Sequence, residues 1–317
     1  MNFVDLKNKS EKNWNDLNYS KNIWVRIGYG ASGEAAGAKK IYDFFVAKTS
    51  DLKNVTVDLV GALGISYAEP LVDITSNDGI RIFYNNVNLE IATKILEEHI
   101  KKNKICFDLA FGQILADKNS SMVNNLPDLN NIEPLKYTKK IATKNCGLIN
   151  PRNIAHYIAN GGYEGLYKSL TELTPEKTLE QVKESGLRGR GGAAFSTGVK
   201  WSFLAGNKSA VKYVLCNCEE GDPGAFNDKG ILESDPHMLL EGLIICGYST
   251  GSSNGHIFIR DGHEIPVENS RKAVEDAYKM GILGKDIMGT GFNFDVEVSL
   301  TGDSYVAGEE TALMEAI

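Results

Sequence analysis

Thiols are scarce in this chain of 317 residues. Its five cysteines, Cys106, Cys146, Cys216, Cys218 and Cys246, form no C-x-x-C and no paired set at zinc spacing. A zinc-ribbon scaffold and a disulfide framework are thereby excluded. Cys216 and Cys218 stand one residue apart, as either a redox or metal pair or incidental thiols of an extended segment. Surplus positive charge is also missing: 34 Lys and Arg against 41 Asp and Glu leave a formal charge of −7. That is the wrong sign for a general nucleic-acid or anionic-membrane surface. No apolar run approaches the ~20 residues that a spanning helix needs, and the start, MNFVDLKNKSEKNW, has no signal-peptide core. A cytoplasmic protein is expected, without nucleic-acid partner or direct membrane insertion. What remains, 42% apolar and 24% charged residues, is ordinary for a globular protein long enough for two domains.

Hydrophobic period divides the chain. Residues 1–20, polar and rich in Asn and Lys, read as a flexible leader. From 21 to 116 a strand (NIWVRIGYG), a helix with Ile41, Phe44 and Phe45 at helical spacing, a second strand (VTVDLVG), a hairpin turning at Asn77-Asp78-Gly79 and the amphipathic helix NLEIATKILEEHI follow one another. That order predicts a small thioredoxin-like α/β layer. Residues 117–145 lack sustained period, carry turn formers and read as a linker. The remainder, 146–317, opens with a helical lead-in: two pieces broken at Gly161-Gly162, then a helix with Thr174 as N-cap, Pro175 at its first position and Gly186 past its end. Beyond it, strands (VKYVLCN, GHIFIRD, FNFDVEVSL) alternate with helices (DPHMLLEGLIICGYS, PVENSRKAVEDAYKMG, and GEETALMEAI as a beginning), the pattern of an α/β sheet with ligand loops beyond its strand ends. The chain stops inside that last helix, before any stop signal, so its C-terminal domain is expected to be incomplete.

Three loops carry the chemistry. GLRGRGGAAFSTGVKW, residues 186–201, contains Gly189, Gly191 and Ala194 in a G-x-G-x-x-A spacing. A Rossmann phosphate turn needs a strand before it, and here a helix precedes; the loop is of another kind. Its glycines free backbone N–H groups for a ligand, and Arg188, Arg190 and Lys200 suit a phosphate. CNCEEGDPGAFND, 216–228, follows a strand and crowds Glu219, Glu220 and Asp222 before a turn. These acids are either solvated or hydrogen-bonded to sugar hydroxyls. GDSYVAGEETA, 302–312, sets Tyr305 and the pair Glu309 and Glu310 before a helix, where the acids either satisfy the helix dipole or face a ligand.

Together with DPHMLLEGLIICGY and LGKDIMGTGFNFD, these segments resemble the NADH-binding, FMN-containing flavoprotein subunits of respiratory complex I, and more closely those of NAD-dependent iron-only hydrogenases. The resemblance spans roughly residues 22–317. It implies an NADH dehydrogenase in which hydride passes from nicotinamide C4 to flavin N5 between cofactors, with no catalytic side chain. By position it implies FMN contacts at Gly189, Arg190, Gly191, Gly192, Lys200, Asn217, Glu219, Glu220, Tyr305, Gly308 and Glu309, and NAD contacts at Phe195, Phe203, Asp222 and Glu310. The implied partners are NADH and the iron–sulfur subunits of an electron-transfer complex.

Several positions depart from the family. The N-terminal unit there ligates a 2Fe–2S cluster through four cysteines, and those positions hold Arg26, Ala31, Ala62 and Ser66. Without thiolates no cluster is expected, no metal site is assigned, and the unit reads as a packing or docking module. Ala194 replaces glycine, Ser196 proline, Ala307 cysteine and Glu219 aspartate. The family's remaining FMN phosphate contacts, an NADH-binding lysine and the 4Fe–4S cysteines fall beyond Ile317. The alternative function is therefore a non-catalytic docking or assembly subunit that has lost its cluster, with or without its flavin.

Overall fold

The computed structural model describes residues 2–75, 79–115, 121–302 and 304–316; the turn residues Asn77 and Asp78 lie outside them. The chain divides into two compact units. One comprises Asn8–Ala159 with Glu233–Asp235, and the other Met1–Lys7, Asn160–Leu232 and Pro236–Ile317.

The expected loose leader is a helix, α1 (Phe3–Tyr19). Its polar majority hides a sparse apolar set: Phe3 stacks on Tyr167 at 5.1 Å, and Trp14 sets its ring edgewise to Trp24 at 5.2 Å. A few aromatic contacts hold a helix whose average composition looks disordered. The first unit then runs β1 (Ile23–Gly28), α2 (Ala31–Ala35), α3 (Ala38–Thr49), β2 (Val55–Val60), β3 (Val72–Thr75), β4 (Ile80–Tyr84), α4 (Leu89–Lys94) with a π-helical extension through Ile100, and β5 (Ala110–Leu115). The sheet order is β2-β1-β3-β4-β5, with β1 and β2 parallel and β3, β4 and β5 antiparallel to their neighbours. A parallel βαβ pair joined to an antiparallel hairpin, with α3 and α4 packed together, is a thioredoxin-like layer. Strand β5 escaped the sequence reading because its apolar run is short. Every residue of β1 is buried, as in a sheet covered on both faces.

Inside that sheet lies a charge cluster. Asp73 accepts from Arg26 Nε at 2.9 Å and from Arg81 Nη2 at 2.8 Å, and the Arg26 guanidinium lies 4.0 Å from the centre of the Trp24 ring. Burial first, then the neighbouring Arg81, lowers Arg26 to about 9 against the opposing pull of Asp73. Beyond β5 the described residues 121–145 are more ordered than a linker: Gln113 Nε2 donates to the Val123 and Leu126 carbonyls, both at 2.8 Å, and Leu129 is fully buried. A short α5 (Glu133–Lys136) and α6 (Ile154–Ala159) complete this unit.

The second unit contains α7 (Glu164–Glu172), α8 (Pro175–Glu184), α9 (Thr197–Gly206), β6 (Tyr213–Cys218), the start of α10 (Asp228–Ser234), α11 (Pro236–Thr250), β7 (Asn254–Arg260), α12 (Glu264–Lys279), β8 (Asp295–Thr301) and α13 (Glu310–Ala316). Its three strands are all parallel in the order β6-β7-β8. The expected alternation from Phe292 begins before the strand: Phe294, fully buried, packs so closely on Gly247 of α11 and Gly255 of β7 that a Cβ there would lie 2.3 and 2.8 Å from its ring. Helix α7 is seated by a buried carboxylate, as Glu241 accepts from Tyr163 N at 2.8 Å and Leu166 N at 3.0 Å.

Candidate functional site

The glycine loop is strung between two helices in contact. A Cβ on Gly198 of α9 would lie 2.7 Å from the Cα of Lys183 of α8, so the crossing requires glycine and fixes both ends of the loop. Thr174 caps α8 as expected, accepting from Lys177 N at 3.3 Å, and Gly186 follows at φ +66°. Within the loop Gly189 N donates to Phe195 O at 2.8 Å and Arg188 Nη1 to Ala194 O at 3.1 Å. A Cβ on Gly191 or Gly192 would meet nothing within 4 Å, so the backbone there lies open. Arg190 and Lys200 are exposed and form no ion pair among the described residues.

Two of the family departures now have physical readings. Ala194 sits at φ +50°, the left-handed region that glycine enters freely and alanine only with strain. Ser196 at φ −64° has the backbone of a proline and adds what proline lacks, a hydroxyl that accepts from Val199 N at 3.5 Å as the N-cap of α9. Phe195 and Phe203 flank this helix start with ring centroids 6.4 Å apart, and both are more than half exposed.

The other two loops leave the C-terminal ends of parallel strands, where open α/β sheets bind ligands. The acidic loop follows β6 and the 302–312 loop follows β8, and side chains join them. Asn217 Nδ2 donates to Gly308 O at 2.7 Å while its Oδ1 accepts from Glu219 N at 3.2 Å. A hydrogen bond to Asp222, before any burial, raises the Tyr305 hydroxyl above its ordinary value. Glu219 is 3% exposed; its Oε2 accepts from Gly221 N at 2.8 Å, and its Oε1 has no hydrogen-bond partner. Thus Asn217, Glu219, Asp222, Tyr305 and Gly308 come together. No hydrogen bond links the glycine loop to either wall among the described residues.

Two predicted contacts are otherwise engaged. Glu220, at φ +46°, accepts from Asn227 N, from Asp228 N at 3.0 Å and from Lys229 N at 2.8 Å, holding the N-terminus of α10. Glu309 accepts from Thr311 N at 3.0 Å, Ala312 N at 3.2 Å and the Thr311 hydroxyl at the start of α13, and the Thr311 hydroxyl above all lowers its carboxyl. Glu310 opens that helix and is exposed. One residue escaped the sequence reading: Arg260, the last residue of β7, donates through Nη1 to Gly221 O at 3.2 Å and lies 3.9 Å from Glu219 Oε1. A cation closing the middle strand of a parallel sheet was the available signal.

At the positions expected to lack cluster ligands, Arg26 is wholly buried and bonded to Asp73 and Thr75. Beside Ala31, whose N–H donates to Glu233 at 3.1 Å, a Cβ on Gly61 would lie 2.2 Å from the Ser234 hydroxyl. A 2Fe–2S cluster does not fit these residues: they offer no soft ligand, and protein atoms fill the space. Among the described residues no group of three or more His, Cys, Asp and Glu side chains could hold a metal ion.

A glycine loop with exposed cations, and acid-bearing loops at the carboxyl edge of a parallel sheet, define the class by architecture: an α/β domain with its loops beyond the strand ends. Within it, residues 182–317 match the Nuo51 FMN-binding domain. The chain is 48% identical over 178 residues to the HndC component of the NADP-reducing hydrogenase of Solidesulfovibrio fructosivorans, covering 56% of this chain and 36% of that protein. It is 43% identical over 162 residues to an NADH-quinone oxidoreductase subunit of Escherichia coli strain K12, covering 51% of this chain and 36% of that one. The chain thus spans about a third of the length of these curated relatives. Among solved structures, an NAD+-reducing nickel–iron hydrogenase in its H2-reduced state aligns over 98% of this chain and 48% of its own, at 19% identity and a TM-score of 0.44. No helix among the described residues is long and apolar enough to cross a membrane.

Proposed function

We propose that this chain is the NADH-oxidising, FMN-binding part of a multi-subunit electron-transfer complex. The observation that carries the reading is the Asn217–Gly308 bond, which joins two acid-bearing loops at the carboxyl edge of the β6-β7-β8 sheet within a segment matching an FMN-binding domain. FMN fits the residues present. The open backbone at Gly191 and Gly192, with Arg190 and Lys200, suits its phosphate, and the Gly189–Phe195 bond holds that loop in shape. Asn217 and Glu219, whose Oε1 accepts no hydrogen bond, suit ribityl hydroxyls, and Tyr305 with Gly308 completes that wall. Glu220 and Glu309, engaged at helix starts, shape the walls through their backbones. Phe195 and Phe203 present aromatic faces for NADH, with Asp222 and Glu310 as the acids nearest its hydroxyls.

FMN, when bound, would supply a hydride acceptor able to yield single electrons. The protein's share is position and electrostatics, and iron–sulfur subunits are the partners such a chain serves. The test is reconstitution of the full chain with FMN, followed by visible absorbance and NADH-driven reduction of ferricyanide. Flavin absorbance that stays with the protein through gel filtration, together with dye reduction, supports the reading. A protein that remains colourless refutes it and favours a docking role.

A further inference from the structure

The residue that ties the two walls together stands between two thiols. Cys216 and Cys218 are both free, with Sγ atoms 3.8 Å apart. Cys218 is 3% exposed and Cys216 half-buried. In an extended strand, alternate Cα atoms lie about 6.6 Å apart, near the top of the roughly 4.4–6.8 Å that a disulfide spans, and the sulfurs must close to about 2.05 Å. Side-chain rotation alone does not supply that distance at the limit of the span; the peptide between the two cysteines has to buckle. That peptide belongs to Asn217, whose side chain holds Gly308 O at 2.7 Å and Glu219 N at 3.2 Å. Strand β6 is an edge strand, bonded on one side to β7, so a buckle there disturbs one ladder only.

We propose that Cys216 and Cys218 form a thiol–disulfide switch, oxidised by low-molecular-weight disulfides, that unlatches the acidic loop from the 305–310 loop and weakens cofactor binding. The effect on the cofactor rests on the flavin reading above; the thiol chemistry does not. The Cys216 sulfur attacks one sulfur of the disulfide, the S–S bond breaks, and one small thiol leaves carrying a proton. The Cys218 sulfur then attacks Cys216, displacing the second thiol with the second proton. The protein loses two hydrogens and two electrons, and the small disulfide gains both. Cys218 takes the second step because of place: its Sγ lies 3.8 Å from that of Cys216, and its burial keeps small disulfides away from it in the first. The competing thiols are disfavoured by burial, which pushes Cys246 to about 12 and raises Cys106 and Cys146.

The test treats the full chain with glutathione disulfide, maps its disulfides by peptide mass spectrometry, and titrates FMN before oxidation, after it, and after dithiothreitol. Expected are a 216–218 bridge and a rise of about two- to tenfold in the FMN dissociation constant, the scale of one or two neutral hydrogen bonds, reversed by the reductant. Cys216→Ala is expected to bind FMN as the reduced protein does and to ignore the oxidant, because the thiol left at 218 is 3% exposed. A lasting glutathione adduct on Cys216, a bridge to Cys246, or a 216–218 bridge with unchanged FMN affinity overturns the proposal. If the reduced chain binds no FMN, the flavin reading has failed. Amide exchange at residues 306–309 then decides the latch: faster exchange in the oxidised chain upholds it, and equal exchange overturns it.

Discussion

Replacing Glu220 by alanine separates a carboxylate that builds the fold from one reserved for a ligand. Its two oxygens take three backbone N–H groups at the start of α10, two of them at 3.0 and 2.8 Å. Losing a helix cap typically costs about 1–2 kcal/mol, and bonds to a charged acceptor lie at the strong end of that range. For a unit of this size, 1 kcal/mol moves the melting temperature by roughly 2–4 °C. Glu220→Ala is therefore expected to lower the Tm of the cofactor-free chain by roughly 2–8 °C in scanning calorimetry. The backbone supplies an internal control. At φ +46° a non-glycine residue carries a penalty of about 1 kcal/mol, so Glu220→Gly loses the cap but sheds that strain and should melt above Glu220→Ala. A cofactor-free Glu220→Ala protein melting within about 1 °C of wild type would show that the carboxylate does not hold α10, and the assignment of Glu220 to the wall's architecture would fall.

Other substitutions test the remaining contacts. Arg260→Met leaves the 3%-exposed Glu219 without its nearby cation. Urea unfolding should show a loss of about 1–3 kcal/mol, with Arg260→Lys keeping part of it; equal stability of all three would remove Arg260 from the site. Ala194→Gly relieves a positive φ at some cost in chain entropy, for a net gain of about 0.5–1 kcal/mol, read as a higher denaturant midpoint. Burial first and Glu220 second raise the Asp228 carboxyl to about 6, above its unfolded value near 3.9. The folded state thus binds that proton more tightly, and the associated stability is whole below about pH 4 and gone above about pH 6. Asp228→Asn should accordingly raise Tm near pH 8 and leave it unchanged near pH 4. Asp73→Asn strips the counter-charge from the buried Arg26 and Arg81. Breaking a buried ion pair costs about 3–5 kcal/mol, so the urea midpoint should fall well below that of the wild type, and an unchanged midpoint would remove the cluster from the fold's support.

Much of the architecture was legible because it is written in local period. The two strand-and-helix runs, the break at Gly161-Gly162 and the cap at Thr174 each follow from neighbours within a turn or a strand. The glycine loop was correctly set apart from a Rossmann turn, since the helix before it was visible in the same way. Helix α1 was not legible: it depends on Trp14 meeting Trp24 and His156 at 5.2 and 5.3 Å. The order in residues 121–145 likewise hangs on the Gln113 side chain.

The same division runs through the site. From its residues alone the chain fixed which groups are available: open glycine amides, loop cations, and acids clustered after a strand. Only the folded chain decided how each is used, with Glu220 and Glu309 turned to helix starts, Asn217 tied to a carbonyl 91 positions away, and Arg260 set beside Glu219. The reason is physical. Local propensity acts among residues a few positions apart, whereas a carboxylate's partner is whichever donor the packing of distant strands and helices brings within about 3 Å.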